Sequence, residues 1–167
     1  MRTVNLLLGV SERRLNNLIE ALVLDVCYNQ AAIACTRATR ADEFSRQGCS
    51  PGFHLIIVSP DNLLPAPSRR GSRVAIEDAV DALRTIKNRC GTAVIALSAS
   101  EDEDASLWEA GSDSVLRLPL NREQLKSEVC RLLGISELAE EPAREELVSR
   151  WSLSEALSRG WERLKSA

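Results

Sequence analysis

Apolar positions along the chain alternate between two spacings. Val4 to Leu8 is a short, nearly continuous apolar run, as in a strand buried on both faces. Ser11 then offers an N-cap, and Leu15, Leu18, Ile19 and Leu22 fall at i, i+3, i+4 and i+7, one face of a helix. Gln30 to Cys35 predicts a second strand, and Arg40 to Gln47 a short helix closed by Gly48 and by Pro51-Gly52. Phe53 to Val58 predicts the third strand. A connection rich in Pro, Ser, Gly and Arg follows, from Ser59 to about Ser72. Ile76, Ala79, Val80, Leu83 and Ile86 make the next helical face, ended by Cys90-Gly91. Thr92 to Ser98 reads as the fourth strand, Glu101 to Ala110 as an acidic helix closed by Gly111, and Val115 to Leu118 as the fifth strand. Pro119 breaks that strand. Asn121 caps a last helix carrying Leu125, Val129, Leu132 and Leu133, and Gly134 closes it.

Strands that alternate with helices predict a parallel sheet, because each crossover must return the chain to the same edge. Right-handed crossovers cover both faces, which gives a doubly wound, three-layer α/β/α fold. Its ligand crevice is expected beyond the carboxyl ends of the strands.

This domain spans residues 1–134, and residues 135–167 form an extension that the pattern makes helical. Glu137 to Glu146 is acidic, with Pro142 placed to start a helix. Leu147, Val148 and Trp151 make one apolar stripe. Ser152-x-x-Glu155 has the form of a capping box, and Leu153, Ala156, Leu157, Trp161 and Leu164 make a second stripe. A stripe with two tryptophans must be buried: on the domain itself, in a homodimer, or on another protein. Trp151, Leu157 and Trp161 are its candidate contact residues.

The formal net charge of -3 gives no general attraction for nucleic acid, which requires a basic surface. No apolar run approaches the roughly 20 residues that span a bilayer. The opening Met1-Arg2-Thr3 and its apolar run are too short for a signal peptide, so a cytoplasmic location is expected. The five cysteines are widely spaced without a C-x-x-C pair, and His54 is the only histidine. Neither a zinc site nor a disulfide framework is expected, nor any other metal or cofactor.

Particular motifs narrow the fold further. Ala93-Val94-Ile95-Ala96-Leu97-Ser98-Ala99 is an apolar strand ending in a hydroxyl and Ala. Ala110-Gly111-Ser112-Asp113 is a turn, Leu118-Pro119-Leu120 follows the fifth strand, and His54-Leu55-Ile56-Ile57-Val58-Ser59 forms the third. Over about residues 2–134 these segments resemble the response-regulator receiver domain of the CheY-like family. The resemblance implies a flavodoxin-like fold with strand order 2-1-3-4-5. It also implies a bacterial signalling role in two-component systems and no enzymatic activity.

The resemblance also locates what is missing. The acidic pair that holds Mg²⁺ in receivers falls on Gly9 and Val10, the phosphoaccepting Asp on Ser59, and the Lys on Leu118. Only the hydroxyl after the fourth strand remains, as Ser98. Aspartyl phosphorylation needs a carboxylate nucleophile and a divalent ion to offset charge on the phosphoryl oxygens. These replacements therefore imply a degenerate pseudo-receiver. A rival register uses Asp61-Asn62-Leu63-Leu64-Pro65, with Asp61 as a displaced acceptor and Glu12 as a displaced metal ligand. Against it, Pro60 lacks the N–H of a central strand, so the strand should end before it.

Other features stay two-sided. Arg69, Arg70 and Arg73 either hold an anion or line a solvated loop. The acidic run Glu101 to Asp104 either complements a helix dipole or meets a basic partner. Trp108, on the helix that receivers use for output, is either an interface anchor or packs on its own domain. The leading expectation is a pseudo-receiver signalling or scaffold module acting through protein contacts. The alternatives are a small-ligand or nucleotide sensor using the crevice and the arginine loop, and a transcription-regulatory component.

Overall fold

A computed structural model describes residues 2–28, 30–48, 50–64 and 73–136. Strands β1 (Arg2–Gly9), β2 (Ala31–Arg37), β3 (Leu55–Val58), β4 (Ala93–Ser98) and β5 (Ser114–Arg117) alternate with helices. The helices are α1 (Arg13–Cys27), α2 (Ala41–Gly48), α3 (Arg73–Cys90), α4 (Glu101–Glu109) and α5 (Arg122–Leu133). The five strands form one sheet in the order β2-β1-β3-β4-β5, and every pairing is parallel. This is the flavodoxin-like CheY fold.

Alternation along each strand divides the core in two. Val4, Leu6 and Leu8 of β1 face one way, with Ile19, Val23 and Cys27 of α1 and Leu125 and Val129 of α5. Leu7 faces the other way, with Phe44 of α2, Ala79, Leu83 and Ile86 of α3, and Leu107 of α4. The central strands are therefore apolar at nearly every position, since neither face meets water.

Local chemistry fixes the helix ends. The Asn121 side chain accepts from the backbone N–H of Glu123 at 3.0 Å and of Gln124 at 3.2 Å. Gly134 adopts φ 63°, and the N–H of Ile135 after it donates to Cys130 O, the left-handed stop that a Cβ disfavours. At α4, Ser100 accepts from Glu103 N, and the Glu103 carboxylate reaches back to Ala99 N at 2.7 Å. The acidic opening of α4 is thus in part a cap.

Three sequence expectations shift. Ser11 is not the N-cap of α1. That place falls to Glu12, whose side chain makes no cap bond. The third strand begins at Leu55, after His54. The Nδ1 atom of His54 accepts from Asn5 N at 3.0 Å and the backbone N–H of His54 donates to Asn5 O at 2.9 Å, so the only histidine secures the lower end of the β1–β3 pair. The fifth strand ends at Arg117, one residue short of Leu118. Arg69, Arg70, Trp151, Leu157 and Trp161 lie outside the described residues, as does the extension beyond Ser136. Arg73 opens α3. Among the described residues, no helix is long and apolar enough to cross a membrane.

Candidate functional site

Parallel winding brings the carboxyl ends of β1, β3, β4 and β5 to one edge of the sheet. Gly9 ends β1 and Ser98 ends β4. Ser59 follows β3, and its N–H donates to Gly9 O at 2.9 Å. Leu118 follows β5, and its N–H donates to Ser98 O at 2.9 Å. The positions singled out by the resemblance are therefore neighbours in space, in two hydrogen-bonded pairs.

What surrounds them is apolar packing. A Cβ placed on Gly9 would lie 2.4 and 2.5 Å from two ring carbons of Phe44 and 3.0 Å from Val58 Cγ2. Carbon atoms in contact sit at about 3.5–4.0 Å, so the Phe44 ring fills the space that any side chain at position 9 would need. The ring is fully buried. Val10 points into the α1/α5 core instead, and its carbonyl accepts from Asn16 Nδ2 at 3.1 Å. Neither place of the acidic pair is merely neutral: one is taken by a ring and the other is a core residue.

The hydroxyls are occupied as well. Ser59 Oγ lies 3.5 Å from Gly9 O, at the limit of a hydrogen bond. Ser98 is fully buried, and its hydroxyl donates to Asp104 Oδ1 of α4. The other carboxylate oxygen of Asp104 accepts from Arg117 Nη2, while Arg117 Nη1 donates to Glu101 Oε1 at 2.8 Å. The guanidinium, and after it the Ser98 hydroxyl, hold the Asp104 carboxyl below the usual carboxylate range, against a smaller opposing effect of burial. Hydrogen bonds to Asp104 and, after it, Glu101 in turn push the Arg117 guanidinium up. A four-residue chain of charge-assisted bonds thus ties the end of β4 and the end of β5 to the first turn of α4.

The rival acidic pair is placed on connections. Pro60 opens a single 3₁₀ turn, Pro60–Asn62, so the strand does end before it. Asp61 is exposed in that turn. The next residue, Asn62, is buried, and its Nδ2 donates to Ala38 O, which anchors the turn on the loop after β2. Glu12 is exposed at the start of α1. Among the described residues, no group of three or more His, Cys, Asp or Glu side chains is placed to hold a metal ion. Trp108 is 51% exposed on α4.

Sequence reasoning did not find Phe44 or Arg117, and read Asp104 only as part of an acidic run. Phe44 reads only as an apolar residue on a short helix. Arg117 next to Leu118, 13 residues after Asp104 and 16 after Glu101, was the available signal for the α4–β5 network.

Fold and strand-end geometry define a doubly wound domain of receiver-like shape, with apolar packing at Gly9 and Val10. Solved structures of similar shape bear this out for the fold. The receiver domain of the Francisella response regulator 1452 superposes with a TM-score of 0.59 at 19% identity, over 78% of this chain and 97% of that one. The receiver domain of the sensor histidine kinase PA1611 from Pseudomonas aeruginosa, which holds a magnesium ion in its active-site cleft, gives 0.59 at 19%, over 79% and 98%. A proposed pilus assembly protein (cpaE) from Burkholderia thailandensis gives 0.54 at 18%, over 80% and 99%. No family model and no curated protein matches the chain.

Proposed function

We propose that this chain is a pseudo-receiver: a non-enzymatic cytoplasmic signalling or scaffold module that works through protein contacts, without aspartyl phosphorylation. The observation that carries this reading is the Phe44 ring against Gly9. It replaces a hydrated, metal-binding corner with core packing, so the strand ends serve stability instead of phosphoryl chemistry. The remaining family hydroxyl, Ser98, is engaged by Asp104. The contact surface lies on α4, where Trp108 stands exposed one turn after the exposed Ala105 and next to the exposed Glu109. An exposed aromatic on an acidic helix suits a partner that presents an apolar pocket flanked by basic residues.

Incubation with acetyl phosphate and Mg²⁺, followed by intact-mass measurement, tests the first half of the proposal. No phosphate adduct is expected. An adduct that disappears in Asp61→Asn would show the displaced register to be a working acceptor, and the proposal would fail.

A further inference from the structure

Helix α2 is held differently from the other four. Of its eight residues only Phe44 and Gly48 are buried. By contrast, α1 buries five residues and α5 four, and Asp25 of the first pairs with Lys126 of the second at 3.2 Å. α3 is tied to the turn before β5 through Lys87 and Asp113, and α4 to β5 through Asp104 and Arg117. The side-chain bonds of α2 stay within residues 40–50. Arg40 pairs with Asp42 at 3.2 Å, Arg46 Nε donates to Asp42 O at 3.2 Å, and Ser50 Oγ donates to Arg46 O at 3.3 Å. Among the described residues no ion pair joins α2 to another element. It reaches the rest of the domain through the Phe44 ring in the core and, at its last residue, through the Cys90 thiol, which donates to Gly48 O at 3.1 Å.

The chain is pinned on either side of this helix. Before it, Ala38 is buried, its N–H donates to Leu8 O at 2.9 Å, and its carbonyl accepts from Asn62 Nδ2. After it, Gly52 O accepts from Asn5 Nδ2 at 2.8 Å. Between the two pins one aromatic ring holds the helix down. Closure also carries a penalty. Gln47 Oε1 is buried with no hydrogen-bond partner among the described residues, and opening returns it to water.

We propose that α2 is a latch. It lifts as a unit between its pinned ends, drawing the Phe44 ring off Gly9 and uncovering the ends of β1 and β3 while the sheet stays folded. An element with few buried apolar contacts and few ties to its neighbours opens at a lower free energy than the whole domain unfolds. The open latch uncovers an apolar recess beside Gly9 and Val58, of a size that takes a phenyl ring. One side chain thus sets access to this corner. The inference shares the Phe44–Gly9 packing with the pseudo-receiver reading but not its claim about phosphorylation, which the acetyl phosphate assay reads separately.

Native-state hydrogen exchange of the full chain, read by mass spectrometry over urea concentrations below the unfolding transition, tests the latch. The amides of residues 44–48 should have protection factors about tenfold or more below those of β4. Their exchange should respond weakly to urea, because lifting one short helix exposes little surface, whereas β4 exchange should rise steeply. In Phe44→Ala the amides of 44–48 should lose protection while β4 keeps it. A parent in which 44–48 match β4 in protection and in urea response overturns the proposal, whether or not Phe44→Ala folds. So does a folded Phe44→Ala in which 44–48 stay as protected as in the parent.

Discussion

Substitution of Gly9 by alanine adds one methyl group at the most crowded point of the sheet end. The new Cβ would stand 2.4 and 2.5 Å from ring carbons of Phe44, about 1 Å inside normal carbon contact. Relief requires the ring to move, yet Phe44 is fully buried in a core cluster with Leu7, Val58 and Leu83. Overpacking of this kind costs about 1–3 kcal/mol, and the depth of the overlap places Gly9→Ala near the upper end. Gly9→Asp adds an unpaired carboxylate in an apolar setting and should cost about 2 kcal/mol more, a large share of ordinary domain stability. Urea unfolding followed by far-UV circular dichroism reads both. The decisive comparison is a double-mutant cycle with Phe44→Leu. Phe44→Leu destabilises alone by removing ring volume, but Gly9→Ala should cost about 1–2 kcal/mol less in that background. If Gly9→Ala lies within about 0.5 kcal/mol of the parent, or the two substitutions simply add, the ring does not occupy the corner and the argument from packing is refuted. A consequence follows for any attempt to rebuild the pocket. Carboxylates put back at positions 9 and 59 without a smaller residue at 44 should give an unstable protein, not a phosphorylatable one.

Asp113→Ala should destabilise by about 2 kcal/mol in the same assay, since Asp113 accepts from Val94 N at 2.7 Å and from Lys87 Nζ, and the change strands the Val94 N–H and leaves Lys87 only the Thr92 carbonyl. The Asp104 carboxyl is lower in the fold than its unfolded value of about 3.9, so its contribution is full above that pH and is lost as the pH falls through the native value. Urea midpoints taken downward from about pH 6 should therefore fall more steeply for the parent than for Asp104→Asn, and parallel slopes would contradict the network. Burial, with Cys130 second, pushes Cys27 up to about 11, and burial, with Glu20 second, pushes Cys35 up to about 11. At mildly alkaline pH both thiols should alkylate about a hundredfold more slowly in the folded chain than in urea, by peptide mapping, and equal rates would count against their buried setting.

The fold was largely legible in the sequence because its signals are local or periodic. Runs such as Leu55-Ile56-Ile57-Val58 are apolar throughout since both sheet faces are covered, and Asn121 and Gly134 mark helix ends through their own backbone bonding. The replacements that the family resemblance implies at Gly9, Val10, Ser59 and Leu118 can be read one position at a time. What fills the space cannot. Phe44 meets Gly9 from 35 positions away in sequence, and Arg117 meets Asp104 across a turn whose geometry depends on the packed helix. Such contacts belong to the tertiary fold, and no window of sequence contains them. Ser11 failed as a cap for a related reason: position relative to the first helical turn decides which residue serves, and a one-residue slip moves that place to Glu12.

The bonds from Ser98 through Asp104 to Arg117 and Glu101 bear on how a cell could use such a domain. A relay transmits by occupying two shapes in changing proportion. If the proposed pseudo-receiver reading holds, α4, with its strand-end hydroxyl already satisfied and its first turn bound by a guanidinium, would show a single face whether or not an upstream kinase is active. In the reading proposed above, information would then reside in abundance and address: how many copies are made, and where they are placed.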